Sequence, residues 1–396
     1  MANILQMPNM PTDENEYSSL RYDVLAELAR HDVVGRRLEH EDGKQAIRDA
    51  YQFKRAARSV SEKAFINKHA AQLLQHFAEG SEVRPDRIAP KLIPVEKAES
   101  FEGRLFRFAT LLWSVPVSRG YGRRMRYLVV DASNNKLMGL FALGDPVINM
   151  KARDVEVGWN VQDRMQRLYH VMDAYVLGAV PPYNDLLVGK LVALAATTNE
   201  VRKQFRTRYA QNVTVISQET KKTDLVLVTT TSALGRSSIF NRLRVQNGVS
   251  FRSIGFTSGY GHFHVSDELF DRIRDWLRQN NDAYADSYAF GKGPNWRLRT
   301  LRRAFTKLGI DKQAINHGIK REIFIAPLAE NYREVLTGQS RRPSYLTLPF
   351  REVYNQFRER WLLPRSERVS GWSEWNREML LARLDLADED PARARK

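Results

Sequence analysis

The sequence predicts an α+β protein with a mixed, mostly antiparallel central sheet flanked by helices, and with added helical regions at both ends of the chain. Residues 225–231 form an apolar, β-branched run without polar alternation, which is typical of a strand covered on both faces. Turn residues between 126–131 and 136–143 predict a hairpin. Apolar residues recur at helical spacing in five other segments: 17–80, 267–279, 295–308, 349–363 and 373–386.

These patterns divide the chain into four regions. Residues 1–16 are rich in Pro, Asn and acids, and we expect them to be flexible. Residues 17–82 form an N-terminal helical region with basic polar faces, which fits a lid on the core, a nucleic-acid arm or a solvated charged surface. Residues 83–265 form the α/β core. Residues 266–396 form a basic helical region with one strand, and its tail, 387–396, is expected to be disordered.

Within the core, the prolines at 85, 90 and 94 predict that the strand at 88–95 lies at a sheet edge. The helix at 185–196 is apolar almost all round, so we expect it to be buried. The other predicted elements follow in order: a helix at 105–113, the hairpin, a strand at 153–159, a helix at 162–168, a strand at 175–180, a helix at 200–209, and strands at 225–231, 251–256 and 262–265.

Composition points to a polyanionic partner. The 396 residues include 62 Lys and Arg against 46 Asp and Glu, so the formal net charge is +16. A basic surface of this size favours nucleic acid, and arginine is suited to bidentate phosphate contacts. The chain has no cysteine, which excludes disulfides, thiolate chemistry, cysteine zinc sites and iron–sulfur clusters.

The sequence predicts no membrane association. The longest apolar runs fall short of the ~20 residues that a membrane span needs. The first 16 residues, MANILQMPNMPTDENE, lack the basic and apolar regions of a signal peptide. We therefore expect a cytoplasmic protein.

A glycine loop at 118–124 carries several residues suited to nucleic acid. Glycines let the backbone approach a ligand, arginines donate to phosphate, and tyrosine can stack on a base. A basic entry into the hairpin would show the same pattern, so that alternative stays open. The candidate binding residues in this loop are Arg119, Tyr121, Arg123 and Arg124.

A second basic segment is the predicted helix at 295–308. Arg297, Arg299, Arg302 and Arg303 make it the most basic helix of the chain, and it could lie along phosphates. We predict that these arginines bind nucleic acid together with those of the glycine loop.

Two pairs of residues are weaker candidates for chemistry. On the predicted strand at 153–159, Asp154 and Glu156 would share one face and could hold a metal or act as acid and base. Arginines 153, 164 and 167 could instead neutralise both. His262 and His264 also share a face of a predicted strand, but no third ligand stands at a fixed spacing, so we predict no metal site.

The stretch from 225 to 265 ends a buried strand in hydroxyls and glycines. A ligand often sits at such a place, although a tight, well-packed turn gives the same pattern. No nucleophile elbow, Walker loop or dinucleotide fingerprint is present. We therefore predict no cofactor.

The order of elements resembles the acetyltransferase fold called the GNAT fold, in which a buried helix follows the fourth strand. The segments around Ile239 and Phe240 and at 253–256 are similar to its ending. GNAT enzymes cradle coenzyme A in a glycine-rich loop, whereas this chain has Pro181, Pro182 and Asp185 there. Proline has no N–H to donate and aspartate repels pyrophosphate. The resemblance implies the fold without the coenzyme.

A second resemblance covers residues 100–340. Long segments are similar to the DruA family of the Druantia anti-phage systems, among them VTTTSALGRSS at 228–238 and GFTSGYGHFH at 255–264; the others are 126–129, 153–159, 183–195, 296–299 and 321–324. This resemblance implies bacterial defence against phage, beside a large helicase-like partner. Relatives of the domain occur beside transposase domains, which suggests DNA. It implies no catalytic residues.

Two classes of function remain open at this point. The chain is either a noncatalytic subunit that binds nucleic acid, with DNA favoured, or an enzyme. The enzyme would be an acyltransferase, or a metal-dependent nuclease using Asp154 and Glu156, that acts on nucleic acid or a protein partner. The sequence leaves the oligomeric state open.

Overall fold

The computed structural model describes residues 14–37, 43–115, 117, 122–210, 223–234, 237, 239–240, 243–245, 251–259, 265–285, 296–316 and 320–385. The chain forms two compact units. The small unit consists of residues 1–50 and 258–320, and the large unit of residues 51–257 and 321–396. The boundaries expected from the sequence at 82/83 and 265/266 stay predictions, as does the order of a GNAT core.

The large unit is built on one sheet, which in the described residues has seven strands in the order β1-β2-β3-β4-β5-β7-β6. Only β4 and β5 pair in parallel, and all other pairs are antiparallel. The mixed, mostly antiparallel sheet flanked by helices is therefore confirmed. The strands are β1 Pro90–Pro94, β2 Arg124–Asp131, β3 Lys136–Gly144, β4 Val171–Ala179, β5 Leu227–Thr231, β6 Arg252–Phe256 and β7 Glu322–Pro327.

The helices of both units follow in chain order. They are α1 Glu14–Arg37, α2 Gly43–Ser61, α3 Lys63–Leu74, α4 Phe101–Thr110, α5 Lys151–Val157, α6 Val161–Arg167, α7 Val188–Ala195, α8 Asn199–Tyr209, α9 Asp267–Gln279, α10 Trp296–Lys307, α11 Tyr332–Thr337, α12 Phe350–Phe357, α13 Leu363–Arg368 and α14 Arg377–Asp385. A π-helical turn, Arg358–Leu362, joins α12 to α13.

The positions of β5 and β1 in the sheet agree with those expected from the sequence. β5 lies between β4 and β7 in the sheet, and Leu227 and Val228 are fully buried, as expected for an apolar run. β1 lies at the edge, and its first and last residues are Pro90 and Pro94. Proline cannot donate to a neighbouring strand, so the edge is where it is tolerated.

Helices cover both faces of this sheet. On one face, Tyr127 of β2 belongs to the core that includes Leu191 of α7 and Phe357 of α12. On the other face, Leu128 packs in a core with Phe108 of α4. Successive residues of a strand point to opposite faces, so β2 supplies both cores. Every residue of α7 is buried, which confirms the expectation for this helix.

The predicted strand at 153–159 is wrong, because these residues form helix α5 and its end. Arg153, Asp154 and Val157 are buried, which follows a helical period, whereas Val155 is exposed. Gly158 ends the helix with φ 82°, a left-handed conformation that glycine adopts without strain. Alternation of acids and valines is weak evidence for a strand when the next residue is a glycine, because glycine can also end a helix.

The small unit packs α1, α9 and α10 around one apolar cluster, in which Val24, Ile273 and Phe305 are fully buried. Ser266 caps α9 as predicted, since its Oγ accepts a hydrogen bond from the backbone N–H of Leu269 at 3.2 Å. The predicted helix at 295–308 is α10.

Some predictions concern residues beyond the described part of the chain: most of the flexible start at 1–16, the tail at 387–396 and the strand at 262–265, of which only residue 265 is described. Among the described residues, no helix is both long and apolar enough to cross a membrane.

Candidate nucleic-acid interface

Helix α10 presents a basic face to solvent. Its inner side buries Leu301 and Phe305. Residues three and four apart in a helix lie on one face, and the exposed face repeats in this way. Its exposed residues are Arg299, Arg302, Arg303 and Thr306.

This face forms the floor of a groove of about 670 Å³ in the small unit. One wall comes from the short 3₁₀ turn Ala283–Ala285, and the other from the 3₁₀ turn Lys312–Ile315. The lining residues are Tyr284, Arg299, Arg302, Arg303, Thr306, Lys312 and Gln313. Four of them are cations, so the groove favours an anion. Arg299 and Arg302 also have interactions of their own within the protein.

The groove includes residues that the sequence did not single out as binding groups. Lys312 lies four residues beyond the predicted helix and Tyr284 eleven residues before it, in a polar loop. The Asp311 carboxylate accepts a hydrogen bond from the backbone N–H of Gln313 at 2.8 Å and caps the turn that presents Lys312. The sequence Asp311-Lys312-Gln313 held a signal for this turn, because Asp is a preferred cap residue.

A buried carboxylate fixes part of the basic face. Asp282 has a side chain only 3 % exposed, and it pairs with Arg303 and Lys307, each at 2.9 Å. Burial alone raises the pKa of Asp282, but hydrogen bonds from Lys307, from the backbone of Tyr284 and from Arg303 outweigh it and hold that pKa below its usual value. The carboxylate is therefore ionised at neutral pH, and it holds the Arg303 guanidinium in place.

Arg297 is not part of the groove lining. Its guanidinium donates to the backbone carbonyls of Val265 at 3.0 Å and Ser266 at 3.1 Å, and it pairs with Asp267. It also lies over the Phe270 ring at 4.3 Å. These contacts tie the start of α10 to the start of α9, so the structure gives Arg297 a packing role.

The described part of the glycine loop lies in the large unit and is engaged internally. Arg123 pairs with Asp145 at 2.7 Å and donates to the carbonyl of Tyr169 at 2.8 Å. A Cβ on Gly122 would lie 1.9 Å from the Asp145 carboxylate, which explains the glycine there. The side chain of Arg124 is exposed at the start of β2. Arg119 and Tyr121 lie outside the described residues.

Asp154 faces two arginines. The fully buried Arg153 donates to one Asp154 oxygen at 2.7 and 3.0 Å, and Arg164 donates to the other at 2.7 Å. Arg153 also donates to the backbone carbonyls of Val147 and Ile148 at 2.7 and 2.8 Å. Both oxygens of Asp154 are thus engaged, and the arrangement fixes α5 to the loop before it.

Glu156 points elsewhere, since residues two apart on a helix do not share a face. Its carboxylate contacts Arg252 and Arg333 and accepts a hydrogen bond from the Tyr332 hydroxyl at 2.9 Å. Burial raises the pKa of Glu156, but the hydrogen bonds from Arg252 and Tyr332 outweigh this effect and lower the pKa to about 2. A carboxylate with this pKa is a poor base near neutral pH.

We refer to Arg153, Asp154, Glu156, Arg164, Arg252 and Arg333 as the α5 cluster. In the part of the chain that the structure describes, no three His, Asp or Glu side chains are grouped as metal ligands would be. His262 and His264 lie outside that part.

The hydroxyls that end β5 pack against β4. Thr229 donates to the Asp173 carboxylate at 2.6 Å, and Thr230 donates to the backbone carbonyl of Ala174 at 2.8 Å. Burial raises the pKa of Asp173 to about 6, although the Thr229 hydrogen bond and Arg153 oppose it. The hydroxyls therefore join the parallel strands β4 and β5, in line with the alternative of tight packing.

Comparisons with known proteins identify the family. The family described as Druantia protein DruA matches residues 41–338. A protein named Druantia protein DruA from Escherichia coli (strain UMEA 4076-1) is 47% identical over 333 residues, which are 84% of this chain and 82% of that protein. No solved structure matches the chain. The chain therefore belongs to the DruA family.

Proposed function

We propose that the chain binds nucleic acid, with DNA favoured, through the α10 groove. The observation that carries the proposal is the gathering of Arg299, Arg302, Arg303 and Lys312 around one cavity with a tyrosine in its wall. Arginine and lysine neutralise phosphates and release their counterions, which drives binding. Arg303 pairs with Asp282, whose side chain is buried, so this carboxylate does not face the solvent side of the groove.

The family supplies the biological setting. Members of the DruA family are components of Druantia anti-phage systems, and we propose that this chain acts in one, beside other subunits that include a helicase-like protein. A groove that binds nucleic acid is compatible with such a partner, because a helicase also binds nucleic acid. Cytoplasmic location stays a prediction.

We do not propose acyl transfer or nuclease activity. In the described residues the carboxylates suggested for a nuclease are held by arginines, and no observation favours a coenzyme site.

Salt dependence tests the proposal. Fluorescence anisotropy with labelled 20-nucleotide DNA, single-stranded and duplex, gives the dissociation constant between 50 and 200 mM salt. Neutralising several phosphates predicts an affinity that falls on the order of tenfold or more over this range. No binding of either DNA at 50 mM salt, or an affinity that does not change with salt, would refute the proposal.

A further inference from the structure

A second cavity of the small unit lies between α1 and the residues that follow α10. It measures about 590 Å³, and its lining residues are Tyr17, Ser18, Arg21, Tyr22, Leu25 and Gly309. Thr306 lines the first cavity and Gly309 the second, so the turn that ends α10 borders both. The Arg21 guanidinium donates to the backbone carbonyl of Leu308 at 3.1 Å and holds α1 against this turn.

An exposed aromatic side chain stands in this second cavity. Tyr22 is 72% exposed, although its neighbours Leu20 and Val24 on α1 are buried in the core of the small unit. Leu25, beside it in the lining, is 38% exposed. An exposed aromatic ring offers a flat face on which a nucleobase can stack.

The exposed tyrosine favours one class of nucleic acid. The arginines of α10 line the first cavity with Lys312, and Tyr22 lines the second. The bases of a duplex are stacked inside the double helix, whereas the bases of a single strand are free to stack on an aromatic side chain.

We propose that the small unit binds single-stranded DNA along both cavities, with its phosphates on the α10 arginines and Lys312 and with a base stacked on Tyr22. This inference rests on the proposed function and adds the class of substrate. Proteins that bind single strands combine a basic groove with aromatic side chains, and each stacked base contributes about 1–3 kcal/mol. Two cavities that share one turn provide both parts.

Four measurements on the full chain test this inference at 100 mM salt: the dissociation constants for a labelled dT20 strand and for a 20-base-pair duplex, each with the natural protein and with Tyr22→Ala. We expect dT20 to bind at least about tenfold more tightly than the duplex. Loss of one stacked base predicts that Tyr22→Ala weakens dT20 binding about fivefold or more and leaves duplex binding unchanged.

Two further variants sharpen the test. Tyr22→Phe keeps the ring and should restore dT20 binding. Phe256→Ala removes an aromatic side chain 48% exposed on β6 of the large unit and should change neither affinity. A strand with 2-aminopurine in place of one base should lose fluorescence on binding to the natural protein, because stacking quenches it, and lose less with Tyr22→Ala.

The outcomes separate the two proposals. Equal affinity for duplex and single strand, or unchanged dT20 binding by Tyr22→Ala, overturns the single-strand inference and leaves nucleic-acid binding in place. Absence of binding to both DNAs at 50 mM salt overturns the proposed function and this inference with it. Stronger binding of a matched RNA strand than of dT20 overturns the choice of DNA.

Discussion

The α10 groove and the α5 cluster are both rich in arginine, yet they use it in opposite ways. In the α5 cluster, Arg153 is fully buried, and the cations are matched to two carboxylates. In the groove, Arg299 and Arg302 are exposed, and Arg303 pairs with the buried Asp282.

The two regions differ in whether the arginine side chain is buried, and therefore in whether it needs a partner within the protein. A buried guanidinium must be satisfied by acids and carbonyls, because an unpaired buried charge is costly. An exposed guanidinium keeps its hydration and can exchange it for a phosphate. Net charge and arginine content therefore do not locate an interface by themselves; the burial of each arginine side chain must also be known.

The largest effect should come from breaking the α5 cluster. Arg153→Met removes the donor to Asp154 and to two backbone carbonyls, and leaves Arg164 as the remaining partner in the described contacts of that carboxylate. Removing one member of a buried pair costs about 3–5 kcal/mol. Urea denaturation followed by circular dichroism should show this loss in the free energy of unfolding.

The matched control is Arg87→Met in the same unit. The Arg87 side chain is 77% exposed and lies 3.8 Å from Asp86, and exposed pairs contribute about 0–1 kcal/mol. A loss below about 1 kcal/mol for Arg153→Met as well would show that its contacts only balance the cost of burying it.

The next effect concerns binding. Arg299→Gln combined with Arg302→Gln removes two cations from the groove floor. We expect DNA affinity at 100 mM salt to fall on the order of tenfold, and the slope of log affinity against log salt to fall by about 2. Anisotropy titrations at several salt concentrations measure both.

A control with the same change in charge separates the groove from the net charge. Arg272 and Arg278 are exposed on α9 of the small unit and pair with Asp23 and Asp275, each at 2.7 Å. Arg272→Gln combined with Arg278→Gln should leave the salt slope unchanged. Equal losses in the two double variants would mean that overall charge, and not the groove, attracts DNA.

The fold was largely predictable because its signals are local. An apolar run between turns predicted β5, prolines predicted the edge position of β1, and an all-round apolar helix predicted the buried α7. The strand predicted at 153–159 failed because period-two alternation over four residues competed with a glycine helix stop.

The candidate site was only partly predictable because it depends on pairing between distant residues. The basic helix that carries Arg299, Arg302 and Arg303 was predicted from the sequence. No pattern in the sequence shows that Arg297 pairs with Asp267 or that Arg123 pairs with Asp145. Nor does any pattern show that Lys312 lines the groove. Tertiary contacts decide which arginines pair within the protein and which line the groove.

The smallest expected effect tests the α5 cluster through pH. Arg252 and Tyr332 hold the pKa of Glu156 at about 2 instead of 4.5. A lowered pKa stabilises the fold above pH 4.5, and this contribution is lost as the pH falls toward 2. Glu156→Gln should therefore lower the free energy of unfolding by about 1 kcal/mol at pH 7, with a difference that shrinks between pH 4.5 and 2. A difference for Glu156→Gln that stays constant down to pH 2 would mean that packing, and not charge, accounts for the contribution of this residue.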